Sequence, residues 1–419
     1  MTLLNKTFVS ALFVSLAFVF SVQNVAAYDS AKQGISIERL NSMTQRMQTF
    51  IDDGRLVGMS TMVARNGEIV HFSQQGLRDR ENNLPMTDDT VFRIYSMTKP
   101  ITAVAALTLW EQGKFQMHDP IAKYIPEFAD LKVYVSGEGD GMIVEDAKQS
   151  IRIIDLFLHT AGFSYGFTDS ELDKRYQQSF QTMQAMATDE IIAELASLPL
   201  NHQPGTQWHY GVNTDVIGFL VERITGKKLG DYMQEVIFEP LGMLDTGFFV
   251  RPENLKRFAE VYGPGEKGET ALMTAEPLGD FLTDPVSHNG GGGLVSTMQD
   301  YFVFAQMLLN KGEFNGVRIL GKKTVEYMTS NHLAGNLVPF SPTEPGMGHG
   351  LAMSVVVDTT GMKNLGSVGT YGWAGAASTM FRIDPEEQLI IIAMTQFIPS
   401  GFHPYQDDFN NTVYQAIVK

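Results

Sequence analysis

Two stretches of the chain each set a pair of strand-like runs, rich in apolar residues, around a turn signal. "TMVARNGEIVHFSQQG" (61–76) sets one such run on each side of Asn66-Gly67. That pair accepts positive φ at both turn positions, so a tight β-hairpin is expected. "STMFRIDPEEQLIIIAMTQF" (378–397) repeats the pattern, with Asp384-Pro385-Glu386 as the turn. The last stretch, Asp407 to Val418, reads as an amphipathic helix. Between them, helical periodicity predicts helices at Ile101–Gln112, Arg152–His159, Thr188–Ser197, Thr214–Thr225, Thr297–Asn310 and Lys322–Ser330. Gly113 and Gly226 stop the first and fourth of these. Pro and Gly cluster at 263–268 and 338–350, which read as surface loops. The expected fold class is therefore α+β, an α/β sandwich. An antiparallel sheet comes from both ends of the chain (about 28–115 and 286–419), flanked by helices, with a mostly helical region (about 116–285) between.

Composition narrows the setting. The first thirty residues place Lys6 before an apolar run, Phe8 to Phe20, followed by the small residues Val25-Ala26-Ala27. This is the layout of a signal peptide cleaved after Ala27, giving a periplasmic or secreted mature chain of 28–419. The apolar run is shorter than the roughly 20 residues a spanning helix requires, so no stable membrane anchor is expected. The chain has no cysteine, which removes disulfides, thiolate metal sites and lipid attachment through a cysteine. A formal charge of −16 argues against nucleic acid as a partner. The nine histidines show no H-E-x-x-H spacing, so neither a metal nor an organic cofactor is expected.

Two serines compete for a nucleophile's role. Gly162-Phe163-Ser164-Tyr165-Gly166 matches the G-x-S-x-G elbow. An elbow needs a buried strand before the serine and a close-packed helix after it. Here a helical "IRIIDLFLHTAG" precedes and a polar "FTDSELDKRYQQ" follows, so the match is read as a decoy. His288 with Gly290–Gly293 looks like an oxyanion loop, but it lies downstream of the elbow rather than before it. It reads instead as a flexible approach to a helix, with Ser296 and Gln299 as a capping box.

The second serine lies in "VFRIYSMTKPITAVAALTLWEQGK" (91–114). An extended approach leads to Ser96, a nearly all-apolar helix follows, and Pro100 is tolerable only in its first turn. Lys99 stands three residues on, one helical turn above Ser96, in the chain's single S-x-x-K. The helix end and the exclusion of water favour a neutral lysine that accepts a proton. The backbone N–H groups at the same end face a developing oxyanion.

"YSMTK", "HDPIAKYIPEF", "LFLHTAGFSYGF", "PGTQWHYG", "GGGGLVSTMQDYFVFAQMLLN" and "YGWAGAASTMFRIDPEE" together resemble, in this order, the serine hydrolases of the class C β-lactamase fold. The resemblance is closest to the family VIII carboxylesterases and spans nearly the whole mature chain. It implies a β-lactamase/transpeptidase-like fold and a non-catalytic G-x-S-x-G. It also implies Ser96 as nucleophile, Lys99 as its proton partner, and Tyr210 as general base. By analogy the N–H groups of Ser96 and Ala376 form the oxyanion hole.

The sequence departs from the lactamase pattern twice. Tyr-x-Asn is replaced by Tyr210-Gly211-Val212, with Asn213 one place late. Lys-Thr-Gly is replaced by Trp373-Ala374-Gly375, and an indole cannot bind a substrate carboxylate as lysine does. Both changes favour neutral, partly apolar ester substrates. Phe163, Tyr165, Phe167, Trp208 and Trp373, with Gly375, are candidates to line the substrate pocket. His209 and His159 read as structural, His159 as a charge at a helix C-terminus. The expected activity is hydrolysis of short-chain acyl esters through a Ser96 acyl-enzyme, with a small-molecule ester as the substrate. The alternatives are a β-lactamase or D-alanyl-D-alanine carboxypeptidase that binds its carboxylate through Arg78 or Arg382, or a slowly acylating penicillin-binding sensor.

Overall fold

The strand Leu389–Thr395 is buried along its whole length, because it lies between two neighbours and between two layers of helices. In the computed structural model, residues 33–275, 279–337 and 345–419 are described. The expected signal peptide lies outside them. On one edge Leu389–Thr395 pairs antiparallel with Gly58–Arg65, and on the other with Met380–Asp384. The full sheet runs Met347–His349, Ser354–Val356, Tyr371–Ala374, Met380–Asp384, Leu389–Thr395, Gly58–Arg65, Glu68–Asp79, Leu84–Pro85. It is thus an eight-stranded antiparallel sheet made from the two ends of the chain, as the two pairs of strand-like runs predict. Asn66 and Gly67 take φ of 53° and 83°, the primed turn that matches the twist of the flanking strands.

Successive side chains of a strand point to opposite faces, and the two faces here feed two cores. Ile390, Ile392 and Met394 join the large core that includes the Thr98–Glu111 and Met298–Leu309 helices. Leu389, Ile391 and Ala393 face the helices Ile37–Asp52 and Tyr405–Ala416. The Thr98–Glu111 helix is buried from Thr98 to Leu109, as befits a helix that is apolar all round. It packs along Asn213–Thr225, and this pairing sets the floor of the site.

The structure corrects several expectations. Thr297, not Ser296, caps the Met298–Leu309 helix, accepting from the Asp300 N–H at 3.2 Å. Ser296 lies in the strand Val295–Thr297 and bonds Thr246 at 2.8 Å instead. The expected loop at 263–268 is the tip of a small hairpin, Tyr262–Pro264 with Thr270–Leu272. Within 338–350, residues 338–344 lie outside the described residues, and Met347–His349 is a sheet strand rather than loop. Ile37–Asp52 and Glu171–Met183 are helices without a sequence expectation. Each is capped by a serine, Ser36 or Ser170, and held by a few buried residues such as Leu40, Met43, Leu172 and Tyr176.

Because both faces of Leu389–Thr395 are covered, Ile391→Ala and Ile392→Ala should each destabilise the protein by about 2–5 kcal/mol. Urea unfolding midpoints check this. A negligible loss for either variant would mean that its face is not packed as described.

Candidate active site

Ser96 is aimed by a bend in the backbone. Val91–Arg93 pairs with Val295–Thr297, and the Ile94 N–H donates to the Leu294 carbonyl at 3.0 Å. Tyr95 then takes φ of 40°, a left-handed conformation that a bulky side chain adopts only under constraint. Its ring is buried edge-on against Phe281, 5.8 Å between centroids. The chain turns through Tyr95–Met97 into the helix beginning at Thr98. Ser96 is left partly exposed, and Lys99 is 1% exposed in the first turn of the helix.

A buried lysine nitrogen must find its hydrogen bonds in protein. Lys99 Nζ donates to Ser96 Oγ at 3.1 Å and to the Gly291 carbonyl at 2.7 Å. It also faces the rings of Tyr210 and Tyr165, at 4.7 and 4.9 Å. The glycine run is therefore a strap on the helix and not a flexible approach. Thr102 Oγ1 donates to the Gly290 carbonyl at 2.7 Å, and the Leu294 N–H donates to Thr98 Oγ1 at 3.1 Å. A Cβ on Gly291 would lie 2.3 Å from Asp215 Oδ2 and 2.4 Å from the Tyr165 hydroxyl. Glycine is required there by close approach.

Tyr210 Oη is 2.8 Å from Ser96 Oγ, so both partners expected for Ser96 converge on one oxygen. The phenol stands in a box of rings. Trp208 stacks parallel to it at 6.1 Å and 9°, and His159, Tyr165 and Trp373 lie at 4.9, 5.1 and 5.8 Å. Gly211 lets this segment press on the elbow loop, since a Cβ there would fall 2.0 Å from the Phe163 carbonyl. Asn213 does not replace the missing motif amide. Its Nδ2 donates to His159 Nδ1 at 2.9 Å, below Tyr210. Burial drives the His159 imidazole well below its ordinary range, so it is a neutral core residue and not a helix-end charge.

Asp215 was not singled out from the sequence, where it reads as an ordinary acid near a helix start. It is buried, and Oδ1 accepts from the Gly291 N–H while Oδ2 accepts from the Tyr165 hydroxyl, both at 3.1 Å. Burial, with the Asp215 and Tyr210 charges, pushes the Tyr165 phenol well above the usual tyrosine range. Tyr165 is thereby fixed as a donor. The only sequence signal was a lone carboxylate just before the apolar run "VIGFLV".

Ser164 sits in a constellation that contains the residue types of a Ser-His-Asp triad but is wired differently. It is 1% exposed, and its hydroxyl donates directly to Asp173 Oδ1 at 2.5 Å. The Gly166 N–H donates to Ser164 Oγ at 3.0 Å, and His209 Nε2 lies 3.2 Å from it. A working triad places the carboxylate on the imidazole, which then receives the serine proton. Here the carboxylate holds the serine, and the arrangement fastens the start of the Glu171–Met183 helix to the loop.

The other candidate residues divide. Trp373 is half-buried at the end of the Tyr371–Ala374 strand, beside Tyr210. A Cβ on Gly375 would fall 2.5 Å from the Ile94 carbonyl, so the strand end abuts the Ser96 turn, and Ala376 follows, exposed. Trp208 and Tyr165 touch Tyr210 directly, and Phe167 stacks on Tyr165 at 5.3 Å while 74% exposed. Phe163 is a correction: it is fully buried against Phe128 in the core and does not line the site. Arg78 is committed to the carbonyls of Lys256 and Pro85. Arg382 shares its sheet face with Met380, in the core under Tyr405–Ala416, away from the Ser96 side. His288 bridges the Gly230 N–H and Asp284, and stacks on Phe248.

A family model described as Beta-lactamase matches residues 43–413. Protein Rv1367c of Mycobacterium tuberculosis is 37% identical, over 83% of this chain and 88% of that protein. Esterase EstB of Burkholderia gladioli is 29% identical, over 86% of this chain and 92% of that protein. Among solved structures, EstCE1, "a hydrolase with promiscuous acyltransferase activity", superposes with a TM-score of 0.76 at 24% identity. That match covers 90% of this chain and 99% of EstCE1.

Burial pushes the Asp173 carboxyl up, but hydrogen bonds from Ser164 and Thr168 outweigh it and hold the group below its ordinary range. A depressed carboxyl stabilises the fold above its unfolded pKa and ceases to as pH falls through the folded value. Ser164→Ala should therefore cost about 1–3 kcal/mol near neutral pH, a deficit that shrinks below about pH 4. Melting temperatures across pH check this. A fluorophosphonate probe should still label Ser96 in the variant, read by peptide mass spectrometry.

Proposed function

Since this chain belongs to the beta-lactamase family and is a serine hydrolase, we propose that it is an exported esterase acting on short-chain acyl esters, with Ser96 as the acylated residue. The observation that carries this reading is Trp373, which stands beside Tyr210 where carboxylate-binding relatives would place a lysine. Tyr210 presents a ring box of Trp208, Tyr165 and Trp373 to the substrate, and such walls favour a neutral, apolar acyl or alcohol group. The positions of Arg78 and Arg382 leave neither free to bind a substrate carboxylate at Ser96.

The steps follow from the short distances around Ser96 Oγ. The Ser96 proton passes to the Tyr210–Lys99 pair as Oγ attacks the ester carbonyl carbon. The tetrahedral oxyanion is held by the N–H groups of Ser96 and Ala376. The bond from that carbon to the alcohol oxygen then breaks, the alcohol leaves with the proton, and an acyl-enzyme remains. Water attacks the acyl carbon and gives its proton to the same pair. The Oγ–acyl bond breaks, Ser96 takes the proton back, and the carboxylic acid departs. Water and ester are the only reactants consumed.

The mature protein should hydrolyse p-nitrophenyl butyrate with steady turnover, faster than nitrocefin or a D-alanyl-D-alanine peptide. Ser96→Ala should lose on the order of 10⁴-fold or more in kcat. Tyr210→Phe should lose about 10²–10⁴-fold, the usual range for a general base. Turnover that survives Ser96→Ala, or faster turnover of the lactam or peptide, would overturn the reading.

A further inference from the structure

Lys99 and Asp215 do not touch. They are joined through the backbone of Gly291, whose carbonyl accepts from Lys99 Nζ at 2.7 Å and whose N–H donates to Asp215 Oδ1 at 3.1 Å. The other carboxylate oxygen accepts from the Tyr165 hydroxyl at 3.1 Å, and the Tyr165 ring faces Lys99 Nζ at 4.9 Å. Both contacts therefore present a proton to Asp215, a pattern that suits the acceptor-only carboxylate. The other titratable groups around this unit are Tyr210, from the segment before the helix, and the neutral His159 beneath it. Gly290 to Gly293 contribute backbone only.

We propose, resting on the esterase reading, that Asp215 is the fixed counter-ion of the site. It holds Lys99 as an ammonium, so that Tyr210 and not Lys99 receives the Ser96 proton. A buried ammonium is stable only beside a compensating charge, and one residue of backbone is the whole separation here. An ammonium facing the Tyr210 ring and sharing its bond to Ser96 Oγ then favours the phenolate. The neutral lysine expected from the helix end and the dry surroundings gives way to this carboxylate. Asp215 touches no reacting atom and acts through Lys99, which makes it a positioning residue. Burial pushes its carboxyl above the ordinary range, against the Lys99 charge and the hydrogen bonds from Gly291, Tyr165 and its own backbone that pull it down.

Asp215→Asn keeps the shape and removes the charge. Loss of a negative charge makes each proton in the site easier to lose. Both limbs of the kcat/KM profile for p-nitrophenyl butyrate should therefore move to lower pH, by about one unit or more. A fall in activity with the limbs in place, or a shift to higher pH, would overturn the proposal. A second measurement needs neither a substrate nor the Asp215 variant. The ultraviolet phenolate absorption of the parent protein, minus that of Tyr210→Phe, is followed across pH. A phenolate assigned to Tyr210 that forms along the acid limb, or by neutral pH if no ester is turned over, is expected. One that forms only at strongly alkaline pH would overturn the proposal. A parent protein that turns over no ester but shows the neutral-pH phenolate would defeat the esterase reading alone.

Discussion

A lysine side chain with almost no water around it dictates the arrangement of everything near it. Lys99 lies on a helix buried from its first turn, so each of its protons must be met by the protein. Ser96 meets one and the Gly291 carbonyl another, while aromatic faces enclose the nitrogen. That demand explains why the backbone at Gly291 must come so close, and hence why it is glycine. It also explains why the helix packed beside that of Lys99, Asn213–Thr225, brings a carboxylate to the same place. Asp215, Tyr165, Gly291 and Lys99 form one bonded unit, and Tyr210 closes it above Ser96.

The large sheet holds this unit in register without supplying the nucleophile or the candidate base. Its contribution is the end of the Tyr371–Ala374 strand, where Gly375 lets the chain lie against Ile94 and so against the bend that presents Ser96. The left-handed Tyr95 is tolerated because its ring is buried against Phe281 and the Ile94 N–H is tied to the Leu294 carbonyl. The elbow loop serves the same assembly from the other side. Ser164 is fastened to Asp173, while its neighbour Tyr165 reaches Asp215.

Strong periodic patterns were legible and close packing was not. The hairpin at Asn66-Gly67, the Asp384-Pro385-Glu386 turn and the all-apolar helix after Ser96 each carry a local signal that survives folding. The S-x-x-K pair could be placed because its geometry is set within one helical turn. Asp215 could not, since a single acid near a helix start means nothing until Gly291, some seventy-six positions away, is brought against it. His159 was misread for the same reason: its partners Asn213 and Tyr210 come from another segment. Phe163 looked like its aromatic neighbours, and only the path of the loop sends it into the core against Phe128. The Glu171–Met183 helix has a polar sequence, and it rests on a serine cap and a few long-range contacts.

The pairing of Gly58–Arg65 with Leu389–Thr395 joins the two ends of the chain. A ribosome releases the first strand long before the second exists. Until then Gly58–Arg65 has only its hairpin partner Glu68–Asp79, and one edge of that hairpin is open. Most of the protein must therefore be made before the sheet can close, and contacts of such long sequence separation form slowly. The bend that presents Ser96 leans on this sheet through Gly375. The assembled site is thus a late product of synthesis, and a nascent chain stopped short of its last strand would carry Ser96 and Lys99 without the frame that aligns them.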